Sequence, residues 1–206
     1  MLPFAALPTP AAVWQSSGRM TEDHPSEPAA PRLLTWANAM TLLRLLLVPF
    51  LVRAIVREQA LFALALFGVA CASDFADGGL ARRFGQSSRI GGLLDHATDA
   101  MLNVAGMAAL AVRGVAPWLL PVAVAAAFVQ YAVDSRVGAG RGLRPNPVGR
   151  WNGIAYYVFL GTPIVRDALG VLWPWDTLVL FVGWVLVATT LYSMLQRWRS
   201  LSAARH

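Results

Sequence analysis

Four aspartates come first, because their types and spacing could hold a metal ion. Asp74 and Asp77 are three residues apart, and Asp95 and Asp99 are four apart. On a helix, either spacing puts both members of a pair on one face. Two such faces turned toward each other make a cage of carboxylate oxygens, the donor set of a hard divalent cation such as Mg2+ or Mn2+. Nearby cysteines or paired histidines, which zinc would favour, are missing from this stretch. The one local histidine, His96, directly follows Asp95 and points off that pair's face, which suits a supporting or structural role. The competing reading of the aspartates is a chain of salt bridges to Arg82, Arg83 and Arg89.

The elements that must position these residues are set by an unusually apolar composition. The chain has 206 residues, 57% of them hydrophobic and 14% charged, with a mean hydropathy of +0.53. A water-soluble domain carries about 25% charged residues, so part of this protein's solvent is lipid. All 17 basic residues are arginine, which excludes Schiff-base catalysis and a lysine-dependent phosphate loop. They are scattered between apolar spans and form no stripe for a nucleic acid. Cys71 is the single cysteine, lies in an apolar run and reads as a small buried hydrophobe.

Apolar stretches at 39–56, 61–73, 100–112, 116–133, 151–165 and 178–195 predict an all-α integral membrane protein. Six transmembrane helices are expected, with a short N-terminal interfacial helix. Several stretches are shorter than the roughly 20 residues of a lone span, so those helices must continue through polar sequence. Each of 61–73 and 100–112 covers about 20 Å at roughly 1.5 Å per residue, within a hydrocarbon slab about 30 Å thick. If the helices run through, both aspartate pairs lie at one depth, about 10 Å inside the boundary, where carboxylates are rare and usually functional. Residues 1–31, rich in Pro, Ala, Ser and Glu, read as a disordered tail with Met20 as a second candidate start, and 32–206 as one membrane domain.

Arginines give the orientation. Arg82, Arg83, Arg89, Arg136, Arg141, Arg144, Arg150, Arg197, Arg199 and Arg205 flank one side, against Arg53, Arg57, Arg113 and Arg166 on the other. The positive-inside rule puts the richer side, both termini and the aspartates toward the cytoplasm, in a multi-pass protein of the inner membrane. Trp36, Trp118, Trp151 and Trp198 suit interfacial anchors.

Asp74, Asp77, Gly78, Ala81, Arg82, Gly91, Asp95 and Asp99 together spell D-x2-D-G-x2-A-R-x8-G-x3-D-x3-D. In this the chain resembles the CDP-alcohol phosphatidyltransferases, all eight fixed positions matching. The segment from Asn38 through Thr41 to Arg44 is weakly similar to the opening of bacterial phosphatidylglycerophosphate synthases. Small residues at Gly78, Ala81 and Gly91 leave bare backbone that a flat nucleotide could approach, and Arg82 can fork onto a phosphate. Close helix packing is the other use of such residues.

The resemblance implies that an alcohol attacks the lipid-linked phosphorus of a CDP-activated lipid and CMP leaves. It implies that Asp74, Asp77, Asp95 and Asp99 hold one or two Mg2+ or Mn2+ ions and that Asp99 is also the base. Gly78, Ala81, Arg82, Gly91, Ser88, Asn38 and Thr41 would bind the nucleotide. Arg136, Arg144 and Arg150, which could equally be topology markers, would hold a small alcohol or phospho-alcohol acceptor, glycerol 3-phosphate first. A homodimer is implied in the same way. The chain departs from the phosphatidylglycerophosphate synthases at His96 and Ala100 and at Gly149-Arg150-Trp151-Asn152-Gly153. A transferase using a small CDP-alcohol and a lipid hydroxyl is therefore a second reading, and a non-enzymatic divalent-cation carrier a third.

Overall fold

The computed structural model describes residues 36–84, 89–137 and 147–203, with backbone alone for 36–39, 75–84, 89–93, 135–137 and 201–203. Six helices make up these segments: α1 Trp36–Val56, α2 Ala60–Phe84, α3 Arg89–Val112, α4 Leu119–Val137, α5 Pro147–Leu169 and α6 Asp176–Ala203. Each expected span has its helix. The expected interfacial helix and the 1–31 tail lie outside the described residues.

The short apolar stretches are extended as the depth argument requires. α2 continues past Ser73 through Asp74 to Phe84, and α3 starts at Arg89, ten residues before Asp99. Among the described residues one helix is long and apolar enough to cross a membrane by itself, over Asp176–Ser200, and Ala60–Asp74 and Leu119–Asp134 are shorter apolar stretches. Pro49 and Pro163 lie inside α1 and α5, where each removes one helical N–H donor. Membrane helices tolerate this because packed neighbours support the backbone.

Packing closes the helices into a ring in the order α1, α2, α5, α6, α4, α3, with α3 also touching α5 across it. The core takes Leu51 and Ile55 from α1, Leu102, Met107 and Leu110 from α3, Leu120 from α4 and Leu160 from α5. Glycines permit the closest approaches. A Cβ on Gly106 of α3 would stand 2.7 Å from Leu160 of α5, and one on Gly161 of α5 would stand 2.8 Å from Phe67 of α2. Many large apolar side chains face outward, among them Phe50, Leu61, Val122, Val158 and Phe181, as a lipid-facing surface requires. Trp118, Trp151 and Trp198 are exposed too, while the side chain of Trp36 lies outside the described residues. Cys71 is free and only half-buried, so the expectation of a fully buried thiol is corrected.

The turns after α1, α3 and α5 share one hydrogen-bond pattern. Gln59 N–H donates to Ala54 and Glu58 N–H to Ile55; Val115 donates to Leu110 and Gly114 to Ala111; Val171 donates to Arg166 and Gly170 to Asp167. This is the Schellman closure, which needs a left-handed residue at its corner. Gly114 and Gly170 supply it with φ of 76° and 65°, and Glu58 supplies it as a non-glycine with φ of 55°. An ion-pair network ties the three turns together: Arg113 reaches Asp167 at 2.8 Å and Glu58 at 3.7 Å, and Arg166 reaches Asp167 at 2.7 Å and Asp176 at 2.6 Å. The arginines assigned to this side by sequence therefore do gather at one end.

Candidate active site

At the opposite end, α2 and α3 bring the acidic residues together. One carboxylate oxygen each from Asp74, Asp95 and Asp99 lies within 4.8 Å of the others. The convergence follows from local structure: both helices stay regular through the acidic sequence, so the i, i+4 pair on α3 presents one face to Asp74 on α2. Asp99 is the deepest, its side chain 19% exposed against 40% for Asp74 and Asp95. The cluster therefore opens outward from Asp99. Asn103, one turn further along α3, donates to the Asp99 backbone carbonyl at 2.9 Å and stiffens the helix there.

The sequence reading overlooked Arg44. This α1 side chain is fully buried, and its guanidinium reaches all three carboxylates. Nη1 contacts Asp95 at 3.0 Å and also contacts Asp99, while Nη2 lies 3.3 Å from Asp74. A salt-bridge partner for the aspartates thus exists on α1, while the side chains of Arg82, Arg83 and Arg89 lie outside the described residues. A signal was present: Arg44 sits among Leu42, Leu43, Leu45 and Leu46, and a charge inside an apolar span needs an ionic partner at its own depth. Tyr157 of α5 was overlooked as well. Its buried hydroxyl stands beside Asp99.

The donor set fits a hard divalent ion. Two oxygens bound to one Mg2+ at about 2.1 Å are separated by roughly 3 to 4.2 Å, so a cluster spanning 4.8 Å needs only small side-chain rotations to close. Among the described residues, three carboxylates and one guanidinium sum to two negative charges, which a divalent cation would neutralise.

The other expected site residues are placed unevenly. Asp77, Gly78, Ala81 and Arg82 lie on α2 and Gly91 on α3, with side chains outside the described residues, as is that of Asn38 on α1. Thr41 is half-buried one turn before Arg44 and so shares its face. Ser88, Arg141 and Arg144 lie outside the described residues, and Arg136 belongs to α4 with its side chain outside them. Arg150 is exposed in the first turn of α5. His96 packs on α4, its ring 4.8 Å from Tyr131 and 5.8 Å from Phe128.

The family model described as CDP-alcohol phosphatidyltransferase matches residues 34–199. The chain is 30% identical over 167 residues to a Mycobacterium tuberculosis (strain ATCC 25618 / H37Rv) protein named "Putative cardiolipin synthase", covering 80% of this chain and 79% of that one. It is 33% identical over 177 residues to the CDP-diacylglycerol--glycerol-3-phosphate 3-phosphatidyltransferase of Shigella flexneri serotype 5b, covering 81% and 92%. Over 98 residues it is 39% identical to the cardiolipin synthase (CMP-forming) of Streptomyces coelicolor, covering 43% and 44%. No solved structure matches the chain significantly.

Proposed function

Since the chain belongs to the CDP-alcohol phosphatidyltransferase family, we propose that it transfers the phosphatidyl group of CDP-diacylglycerol to a small hydroxyl acceptor and releases CMP. The observation that carries this is the convergence of Asp74, Asp95 and Asp99 at one end of the bundle. In the reaction, an acceptor hydroxyl oxygen bonds to the phosphorus that bears diacylglycerol. The bond from that phosphorus to the CMP oxygen breaks, and CMP departs with the electron pair. Asp99, innermost of the three, takes the hydroxyl proton. Asp74, Asp77 and Asp95, with Asp99, would hold Mg2+ or Mn2+, which supplies neutralising charge to the pyrophosphate. Gly78, Ala81, Gly91, Asn38, Thr41 and Ser88 would cradle the cytidine diphosphate, with Arg82 forked onto it.

The acceptor is a glycerol bearing a phosphate, with glycerol 3-phosphate as first choice. Support comes from the arginines Arg136, Arg144 and Arg150 and from the Shigella relative's substrate. Phosphatidylglycerol, the same glycerol with a lipid on its phosphate, is the second reading, favoured by the two relatives named as cardiolipin synthases. A small CDP-alcohol donor is less favoured because none of the relatives cited above carries such a name. The six helices span the inner membrane as one domain, 32–206, with the aspartate end facing the cytoplasm and with homodimers as the working unit.

Purified protein given CDP-diacylglycerol and Mn2+ should release CMP only when an acceptor is present, and lipid mass spectrometry of the product names that acceptor. Asp99→Asn should lower turnover by about 10²- to 10⁴-fold. Absence of CMP release with either acceptor would refute the proposal.

A further inference from the structure

Arg44 stands where a bound cation would. Its guanidinium reaches the same three residues whose oxygens converge, with one nitrogen shared by Asp95 and Asp99 and the other facing Asp74. Three carboxylates within 4.8 Å repel one another, and without a positive charge between them the α2 and α3 faces would be pushed apart. The side chain comes from a third helix and has no exposure to solvent, so its placement is fixed by packing and not by chance surface pairing. An arginine also keeps its charge at every relevant pH, so it can give up the carboxylates only by moving.

We propose that Arg44 is a resident counter-cation: it holds Asp74, Asp95 and Asp99 in convergence before a divalent ion arrives, and the ion must take those oxygens from it. Arg44 is thereby a positioning residue that keeps the site assembled and sets how tightly the metal binds. The two occupants are linked, so whatever weakens one hold on the oxygens strengthens the other. This rests on the divalent-ion reading of the cluster above.

The test measures Mn2+ binding to purified protein in detergent without nucleotide, by calorimetry or electron paramagnetic resonance, beside thermal unfolding in EDTA and in saturating Mn2+. Arg44→Met keeps the length and removes the charge. It should bind Mn2+ about tenfold more tightly than the unaltered chain, a typical size for coupled binding. It should also unfold several degrees lower in EDTA, with most of that loss restored by Mn2+. Arg44→Lys keeps the charge without the fork and should fall between the two, with about threefold tighter binding. If Arg44→Met fails to fold in either condition, the lysine variant decides alone. Unchanged or weaker Mn2+ binding in the variants, with normal binding by the unaltered chain, overturns the counter-cation role and leaves the metal reading standing. No Mn2+ binding by the unaltered chain overturns both.

Discussion

The two ends of the bundle use the same side chains to opposite effect. At the end formed by the turns after α1, α3 and α5, Arg113 and Arg166 face Asp167, Asp176 and Glu58, and the adjacent Arg53 and Arg57 leave the local charge close to balanced. At the aspartate end, among the described residues, one arginine faces three carboxylates. Balanced charge closes turns and holds helix ends together. Surplus negative charge, held in place by packing, is a standing demand for a cation. Where an ion-pair cluster is out of balance, chemistry is the better explanation than stability.

Substitutions at each end should separate these roles. The largest effect belongs to Asp95→Asn. It should cut CMP release at least about a hundredfold while leaving the unfolding temperature in EDTA nearly unchanged, because the repulsion it relieves offsets the contact it loses. A large fall in that temperature would show that the aspartate end is a structural network like the other. Arg166→Gln should do the reverse. Arg166 is buried and also donates to the Pro174 carbonyl at 2.8 Å, so its loss leaves that carbonyl without this donor and Asp167 with Arg113 alone, and should destabilise by about 2 kcal/mol, less than a fully buried pair because Asp176 is mostly exposed. Turnover per folded molecule should stay near normal, measured after correcting for the folded fraction. The smallest effect is Glu58→Gly. Relieving a left-handed non-glycine corner should stabilise by about 0.5 kcal/mol, since its ion pair to Arg113 is long and its side chain is 72% exposed. A loss of stability there would mean that the Glu58 contact outweighs the backbone strain.

Much of this molecule was legible from sequence, for physical reasons that also mark where legibility ended. Apolar stretches located all six helices, and the shortness of 61–73 and 100–112 foretold that α2 and α3 continue through the aspartates. The i, i+3 and i, i+4 spacings identified the carboxylates, because a helix fixes which of its own residues share a face. Contacts between helices distant in sequence were another matter. Arg44 is separated from Asp95 and Asp99 by 51 and 55 residues, and nothing local to α1 says which neighbour its charge will meet. Arg113 and Arg166 were read as topology markers for the same reason: sidedness is a count, whereas pairing with Asp167 and Asp176 depends on the order of helices around the ring. The Schellman corners at Gly114, Gly170 and Glu58 went unread, and at Glu58 no glycine announces one.

The glycine contacts of α5 carry a mechanical consequence. Leu160 of α5 projects into the space left by Gly106 on one neighbour, and Gly161, the next residue, receives Phe67 from another. A peg and a socket on adjoining residues, facing different helices, lock α5 against sliding along its own axis: any axial shift that freed one would jam the other. Gly183 extends the lock to α6, since a Cβ there would stand 2.5 Å from Pro117 and 3.2 Å from Phe159 of α5, so rearrangement of the bundle should proceed by tilting and not by axial sliding of α5.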